Sequence, residues 1–204
     1  MNTKATKHRT VVANISLSLD GRTAGPGGEY DMGWIVPHAT TNGARDHMIN
    51  VTSPATTVLL GKKNYEGFGS YWPSVADNEE ADPRDRAFSK WLNAVEKIVF
   101  SSTLKDASWE NTRIVNDDPA TVLKELQGQA GGDIIVLASS SLIKRLLEAD
   151  ALDCLSLTLC PEVSGGGARL FNDGLPPSSW TLRQSTVTES GALCLLHDRK
   201  ITAT

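Results

Sequence analysis

Apolar and polar positions alternate from Val11 to Leu17, with Val11, Ala13, Ile15 and Leu17 on one side, and the period of two predicts a strand. Further short apolar runs predict strands at 56–61 (TTVLLG), 96–102 (EKIVFSS), 113–115 (RIV), Ile134 to Ala138, and 152–163 (LDCLSLTLCPEV). Between them the spacing lengthens to that of helices. HATTNGARDHMINV carries one, although Gly43 disfavours it. KNYEGFGSYWP reads as a short helix or turn ended by Gly69 and Pro73. Phe88, Trp91, Leu92 and Val95 mark another helix. DDPATVLKELQGQAGG is a fourth, with Asp118 as N-cap, Pro119 in the first turn and Gly128 near its end. Leu142, Ile143, Leu146 and Leu147 share one face of a fifth. TLRQSTVTE and ALCLLHDRK, joined at Ser190–Gly191, predict an antiparallel hairpin. Nearly all-apolar strands alternating with helices imply a mostly parallel sheet covered on both faces, made mixed by the terminal hairpin.

Two segments interrupt this order. SLDGRTAGPGGE is rich in glycine and reads as a long mobile loop, and VADNEEADPRD reads as an acidic, solvated excursion. Residues 1–10 read as a disordered tail, leaving one domain over 11–204. A net charge of −4 gives no reason to expect nucleic acid, and no apolar run reaches the roughly 20 residues that cross a bilayer. The start of the chain lacks the apolar stretch of a secretory signal. Cys154, Cys160 and Cys194 form no C-x-x-C and sit in apolar segments, as reduced thiols of a cytoplasmic protein do. The four histidines show no paired spacing, so no metal is expected.

Candidate chemistry gathers at strand ends. In open α/β sheets ligands sit beyond the carboxyl ends of parallel strands. Three such ends carry small polar or basic groups: Gly61-Lys62-Lys63-Asn64, Ser101-Ser102 and Ser139-Ser140-Ser141. The last runs straight into a helix, whose N-terminus favours an anion; an ordinary N-cap explains the serines equally. Lys62 and Lys63 can face a phosphate or simply water. No G-x-G-x-x-G is present, and the glycines of SGGGARLF (164–171) fit either close approach to a ligand or a flexible turn. A nucleotide-cofactor reductase and a non-catalytic nucleotide-binding domain both remain open at this point.

The motifs, in order, resemble the dihydrofolate reductase-like superfamily. The similarity is closest to the C-terminal reductase domain of the bifunctional riboflavin-biosynthesis deaminase-reductase. It rests on NISLSLDGRTA, VLLGKKNYEGF, IVFSSTL and DIIVLASSSLIKRLLEADALDCLSLTLCPEVSGGGARLF, and covers the chain from about Val11 to Lys200. It implies a mixed, mostly parallel central sheet flanked by helices with a C-terminal antiparallel hairpin. It also implies NADPH as cofactor and a small heterocyclic or ribosylamino-pyrimidine substrate, with an unassigned pteridine-like substrate or a non-catalytic homologue as alternatives.

Residue by residue, the resemblance puts Ala13 and the Ser18–Arg22 loop beside the nicotinamide. Gly61, Lys62 and Asn64 would meet cofactor phosphate, with Ser101 and Ser102 at the adenosine end. Ala138, Ser139, Ser140, Ser141 and Leu142 stand where the family's glycines hold the pyrophosphate. Ser18, Trp34 and Phe171 would border the substrate, and Gly166 and Gly167 would close the nicotinamide side. Asp20 is the family's loop acid, a proton donor or merely a tie for the Gly21 turn. Folate reductases carry a carboxylate on the helix after W-x-x-P. Here Ala39 stands near that place with His38 beside it, so His38 becomes the alternative donor. The resemblance further implies a homodimer, paired near the ALCLLH strand read as a sheet edge.

Overall fold

The computed structural model describes residues 8–200. Residues 1–7 of the expected tail lie outside the described residues. Arg9, also assigned to that tail, is only 4% exposed. Its guanidinium donates to the carbonyls of Gly132 (2.7 Å) and Leu126 (3.3 Å) and to the Thr57 hydroxyl (2.7 Å), so the chain is anchored before the first strand begins.

The strands are β1 (Val11–Leu17), β2 (Ala55–Gly61), β3 (Glu96–Phe100), β4 (Thr112–Val115), β5 (Asp133–Leu137), β6 (Cys154–Leu159), β7 (Trp180–Val187) and β8 (Leu193–Arg199). They form one sheet in the order β4-β3-β2-β5-β1-β6-β8-β7. The first six run parallel, and β8 and β7 close the sheet antiparallel. The helices are α1 (Val36–Ala39), α2 (Asn42–Thr52), α3 (Lys62–Val75), α4 (Pro83–Ala94), α5 (Pro119–Gln127) and α6 (Ser140–Glu148). This is the dihydrofolate reductase-like architecture that the motif order implied.

Each strand of the centre is buried on both sides, which is why its sequence lacks a polar face. Val11, Ala13, Ile15 and Leu17 pack with Leu123, Leu126, Ile143 and Leu146 of α5 and α6. Val12, Val58, Leu60 and Ile135 point the other way, onto Val51 of α2 and Phe88 and Leu92 of α4. Burying one such side chain is worth about 1.5–3 kcal/mol, so the two layers dominate the fold energetically.

Four local expectations change. The helix predicted across 38–51 is divided, because Thr41 leaves helical geometry and caps α2 by accepting from Ala44 N. α3 continues through Pro73 instead of ending there. Proline forfeits one backbone bond, but Trp72 packs edge-on against Phe88 at 4.6 Å and holds the last turn in place. The acidic excursion is not merely solvated. Asp82 caps α4 by accepting from Arg84 N, Arg45 pairs with Asp85 at 2.9 Å, and Arg84 pairs with Asp46. The ALCLLH segment is β8, an inner strand; the edge is β7, with Leu182 and Val187 exposed.

Candidate functional site

The chain leaves β1 through α1 and α2 on one face and crosses over β5 to reach β2. It leaves β5 through α6 on the other face and crosses over β1 to reach β6. Neighbouring strands β1 and β5 therefore send their connections in opposite directions. A crevice opens at their carboxyl ends, where ligands of such sheets bind.

On the β2–β5 side the crevice is built from backbone. The turn after β5 puts Ala138 at φ 53, in the left-handed region, with its N–H donated to Asn14 O at 2.9 Å. Ser139 is buried. Its hydroxyl accepts from Gly61 N at 2.9 Å and lies 2.9 Å from Leu137 O and 3.2 Å from Asn64 Oδ1, so it ties the end of β5 to the end of β2. This hydroxyl is engaged within the protein, not offered to a ligand. Leu142 likewise turns its side chain into the core, leaving only its N–H at the helix start. Neither α3 nor α6 has a side-chain cap at its N-terminus. Two adjacent helices thus direct unfilled N–H groups and the positive ends of their dipoles toward one place, a cradle for anions. Ser140 and Ser141 stand at the α6 start with hydroxyls that make no hydrogen bond to described residues.

Lys62 extends from the α3 start to the Thr103 hydroxyl at 3.1 Å, beside Ser102. Lys63 points elsewhere and pairs with Glu29. Ser101 accepts from Thr103 N and Leu104 N, which bends the chain after β3, while Ser102 is exposed. A cleft of about 730 Å3 lies between α3 and residues 104–110, lined by Tyr65, Trp109 and Glu66, the last paired with Lys62.

On the β1–β6 side two loops are stitched together. Asp20 accepts from the Ser18 hydroxyl (2.7 Å), Ser164 N (2.9 Å) and Gly165 N (3.1 Å) and pairs with Arg22. These bonds, the Ser18 hydroxyl foremost, hold its carboxyl well below the usual carboxylate range. An acid so fully satisfied is a tie, not a proton donor, and the hydroxyl of Ser18 is consumed in the same knot. Thr23 N donates to Ala168 O, and Arg22 Nη1 donates to Gly167 O at 2.6 Å. The 21–28 segment, expected to be a free loop, is therefore pinned. Gly166 and Gly167 pack closely against this segment: at Gly167, with φ 87, an added Cβ would stand 2.1 Å from Ala24 O.

His38, the alternative donor, is 5% exposed. Its Nδ1 meets Ser190 Oγ at 2.8 Å and its Nε2 meets Glu162 at 3.1 Å, so it clamps α1 between the β7–β8 turn and the end of β6. Trp34 donates to Asp31 O at 3.2 Å, and Phe171 is exposed next to buried Leu170. Ala39 is exposed, and Asp46 is engaged with Arg84, so neither supplies the carboxylate of a folate site. Ala13 is enclosed in the α5–α6 layer, and its backbone lies between β5 and β6, opposite Val136 and Leu155.

The other face of β1 carries what the sequence reading passed over. Asn14 and Ser16 pair in register with Ser156 and Thr158 of β6. The lower pair is buried: Ser156 donates to Asn14 Oδ1 at 2.8 Å and meets His47 Nε2 of α2, also at 2.8 Å. Desolvation lowers the His47 pKa, favouring the neutral ring. The upper pair, Ser16 and Thr158, is half-exposed. The three cysteines are buried, and burial pushes the thiols of Cys154 and Cys160 up to about 12 and about 11, so they are neutral and unreactive.

Comparison with known proteins agrees with this geometry. The family model of the RibD C-terminal domain matches residues 9–194. The chain belongs to this RibD C-terminal domain family. Uncharacterized protein YyaP of Bacillus subtilis is 29% identical over 168 residues, 82% of each chain. A putative riboflavin biosynthesis protein from Shewanella sp. PV-4 superposes with a TM-score of 0.68 at 18% identity, covering 94% of this chain and 99% of that one. A deaminase and 5-amino-6-(5-phosphoribosylamino)uracil reductase from Thermotoga maritima gives 0.64 at 16%, over 95% of this chain and 57% of that one. Dihydrofolate reductase from Enterococcus faecalis, complexed with NADP(H), gives 0.57 at 16%, over 94% and 97%. Family and fold together identify a RibD C-terminal domain with the dihydrofolate reductase-like architecture. No helix among its described residues is long and apolar enough to cross a membrane.

Proposed function

We propose that the protein is an NADPH-dependent reductase. Its substrate would be a small heterocyclic or ribosylamino-pyrimidine compound, of the kind reduced in riboflavin biosynthesis. The observation that carries this reading is the pair of uncapped helix starts, α3 and α6, on adjacent strands with Lys62 beside them. The residues fit a dinucleotide phosphate. The α6 start with Ser140 and Ser141 would hold the pyrophosphate, and Lys62 with Ser102 the phosphate at the adenosine end. When bound, such a cofactor supplies a hydride to an electrophilic C=N or C=O carbon. The chain contributes orientation and exclusion of water through the pinned 18–31 and 162–171 loops. Asp20 and His38 are both held by other groups, so the proton that completes the reduction comes from water at the mouth.

The three buried, reduced cysteines support a cytoplasmic setting. The exposed apolar groups of edge strand β7 support a homodimer across that edge, which light scattering at micromolar concentration reads directly. The principal test compares dissociation constants for NADPH and NADH. A charge-assisted phosphate contact is worth about 1.5–3 kcal/mol, so NADPH is expected to bind at least tenfold tighter and Lys62→Ala to abolish the difference. Ser140→Asp, with its charge against the pyrophosphate, weakens both cofactors. Equal affinity of the wild type for the two would end the reading. Dihydrofolate is expected to be a poor substrate, because no carboxylate occupies the place of Ala39.

A further inference from the structure

The substrate half of the crevice has a chemistry of its own. Its floor offers the Ser16 hydroxyl, which makes no hydrogen bond to described residues. Beside it in register is the Thr158 hydroxyl, whose partner is the thiol of Cys194 at 3.8 Å. Both are seated on the buried Asn14–Ser156–His47 network, which fixes their spacing and carries no charge in its neutral form. The bond donated by Ser156 to Asn14 requires His47 to donate from Nε2, which is the neutral tautomer consistent with its burial.

The rim is apolar and acidic. Leu19, Val36 and Val163 are 57%, 58% and 72% exposed, and they gather around Glu162: Leu19 N donates to Glu162 O, and His38 of the Val36 helix meets the Glu162 carboxylate. Asp20, Glu29, Asp31 and Glu162 all belong to these loops. Several of the cations that reach this side are paired: Arg22 with Asp20, Lys63 with Glu29, and Arg45 with Asp85 and Asp82. Arg169 alone on the 162–171 loop carries a cation without an ion pair to described residues, and it is exposed.

A phosphate-bearing substrate needs charged or N–H donors where its phosphate lies. We infer that the substrate is a neutral, unphosphorylated heterocycle whose ring carbonyl and N–H groups are read by Ser16 and Thr158. This rests on the reductase reading and narrows its substrate to the dephosphorylated class.

The test loads the intact protein with NADP+ and titrates two probes by calorimetry: an aminouracil carrying a ribosylamino chain, with and without its 5-phosphate. The unphosphorylated probe is expected to bind at least as tightly as the phosphorylated one. Ser16→Ala and Thr158→Val are each expected to weaken it tenfold or more and to leave the NADPH dissociation constant unchanged. Thr158→Val keeps the shape of the side chain, so loss of the fold cannot mimic loss of the hydroxyl. A tenfold preference for the phosphorylated probe that disappears in Arg169→Ala would overturn the inference and leave the reductase reading intact. Failure of both probes to bind NADP+-loaded protein overturns it as well. Failure of NADPH itself to bind sinks the reductase reading, and the inference with it.

Discussion

At the carboxyl ends of β2 and β5 the polar groups that face the crevice are mostly backbone N–H groups of two helix starts. At the ends of β1 and β6 they are side chains on alternate strand positions, Ser16 and Thr158 above Asn14 and Ser156. The first kind of site is set by where helices begin and tolerates exchange of glycine for alanine or serine. The second is set residue by residue and changes with each substitution. A fold built this way can keep one cofactor while its substrate varies.

The largest perturbation should fall on the substrate half alone. Gly167→Val meets Ala24 O at 2.1 Å and a φ of 87, a combination expected to cost about 3 kcal/mol or more. Urea denaturation should show that loss, while any protein that remains folded keeps its NADPH affinity. Equal damage to cofactor binding would show that the two halves are one unit. A smaller effect concerns Asp20, whose folded pKa lies below its ordinary 3.8. Its contribution is therefore present above pH 3.8 and is lost as pH falls below that value. Protection factors at 18–24 and 164–168, taken against the intrinsic exchange rate at each pH, should fall on acidification in the wild type. In Asp20→Asn they should be low at every pH, with cofactor affinity again unmoved. The smallest effect lies on the other side. Ala138→Gly removes a left-handed alanine at the β5 turn and should stabilise by about 0.5–1 kcal/mol, since the strain relieved exceeds the entropy glycine adds to the unfolded chain. A loss of stability would mean that the methyl group packs usefully.

The sheet was legible because strands buried on both faces leave unbroken apolar runs, as in TTVLLG and DIIVLA, separated by helices with clear starts such as Asp118-Pro119. The strand-to-helix junctions at Gly61 and Ser139 were legible for a related reason: small residues between a strand and a helix leave a trace in one dimension. The floor of the substrate half was not. Reading β1 by its apolar side, Val11 to Leu17, passed over Asn14 and Ser16, and nothing local ties them to β6, about 140 residues away. The signal available was serine and threonine alternating with leucine in CLSLTL, polar positions inside a strand otherwise fit for a core. The burial of His38, named as a candidate donor, was hidden for the same reason, since it depends on Ser190, which arrives with the hairpin. The glycines of 164–167 were visible, but glycine reports close approach without saying to what, and here the neighbour is the protein's own loop.

The tie between His38 and Ser190 also bears on the order in which the chain is made. Every residue of the cofactor half has been synthesised once α6 ends at Glu148. The substrate half waits for β6, for Glu162 and for the turn at Ser190. A nascent chain stopped short of the hairpin carries both helix starts and the Ser16–Thr158 pair, but its α1 lacks the Ser190 half of the His38 clamp.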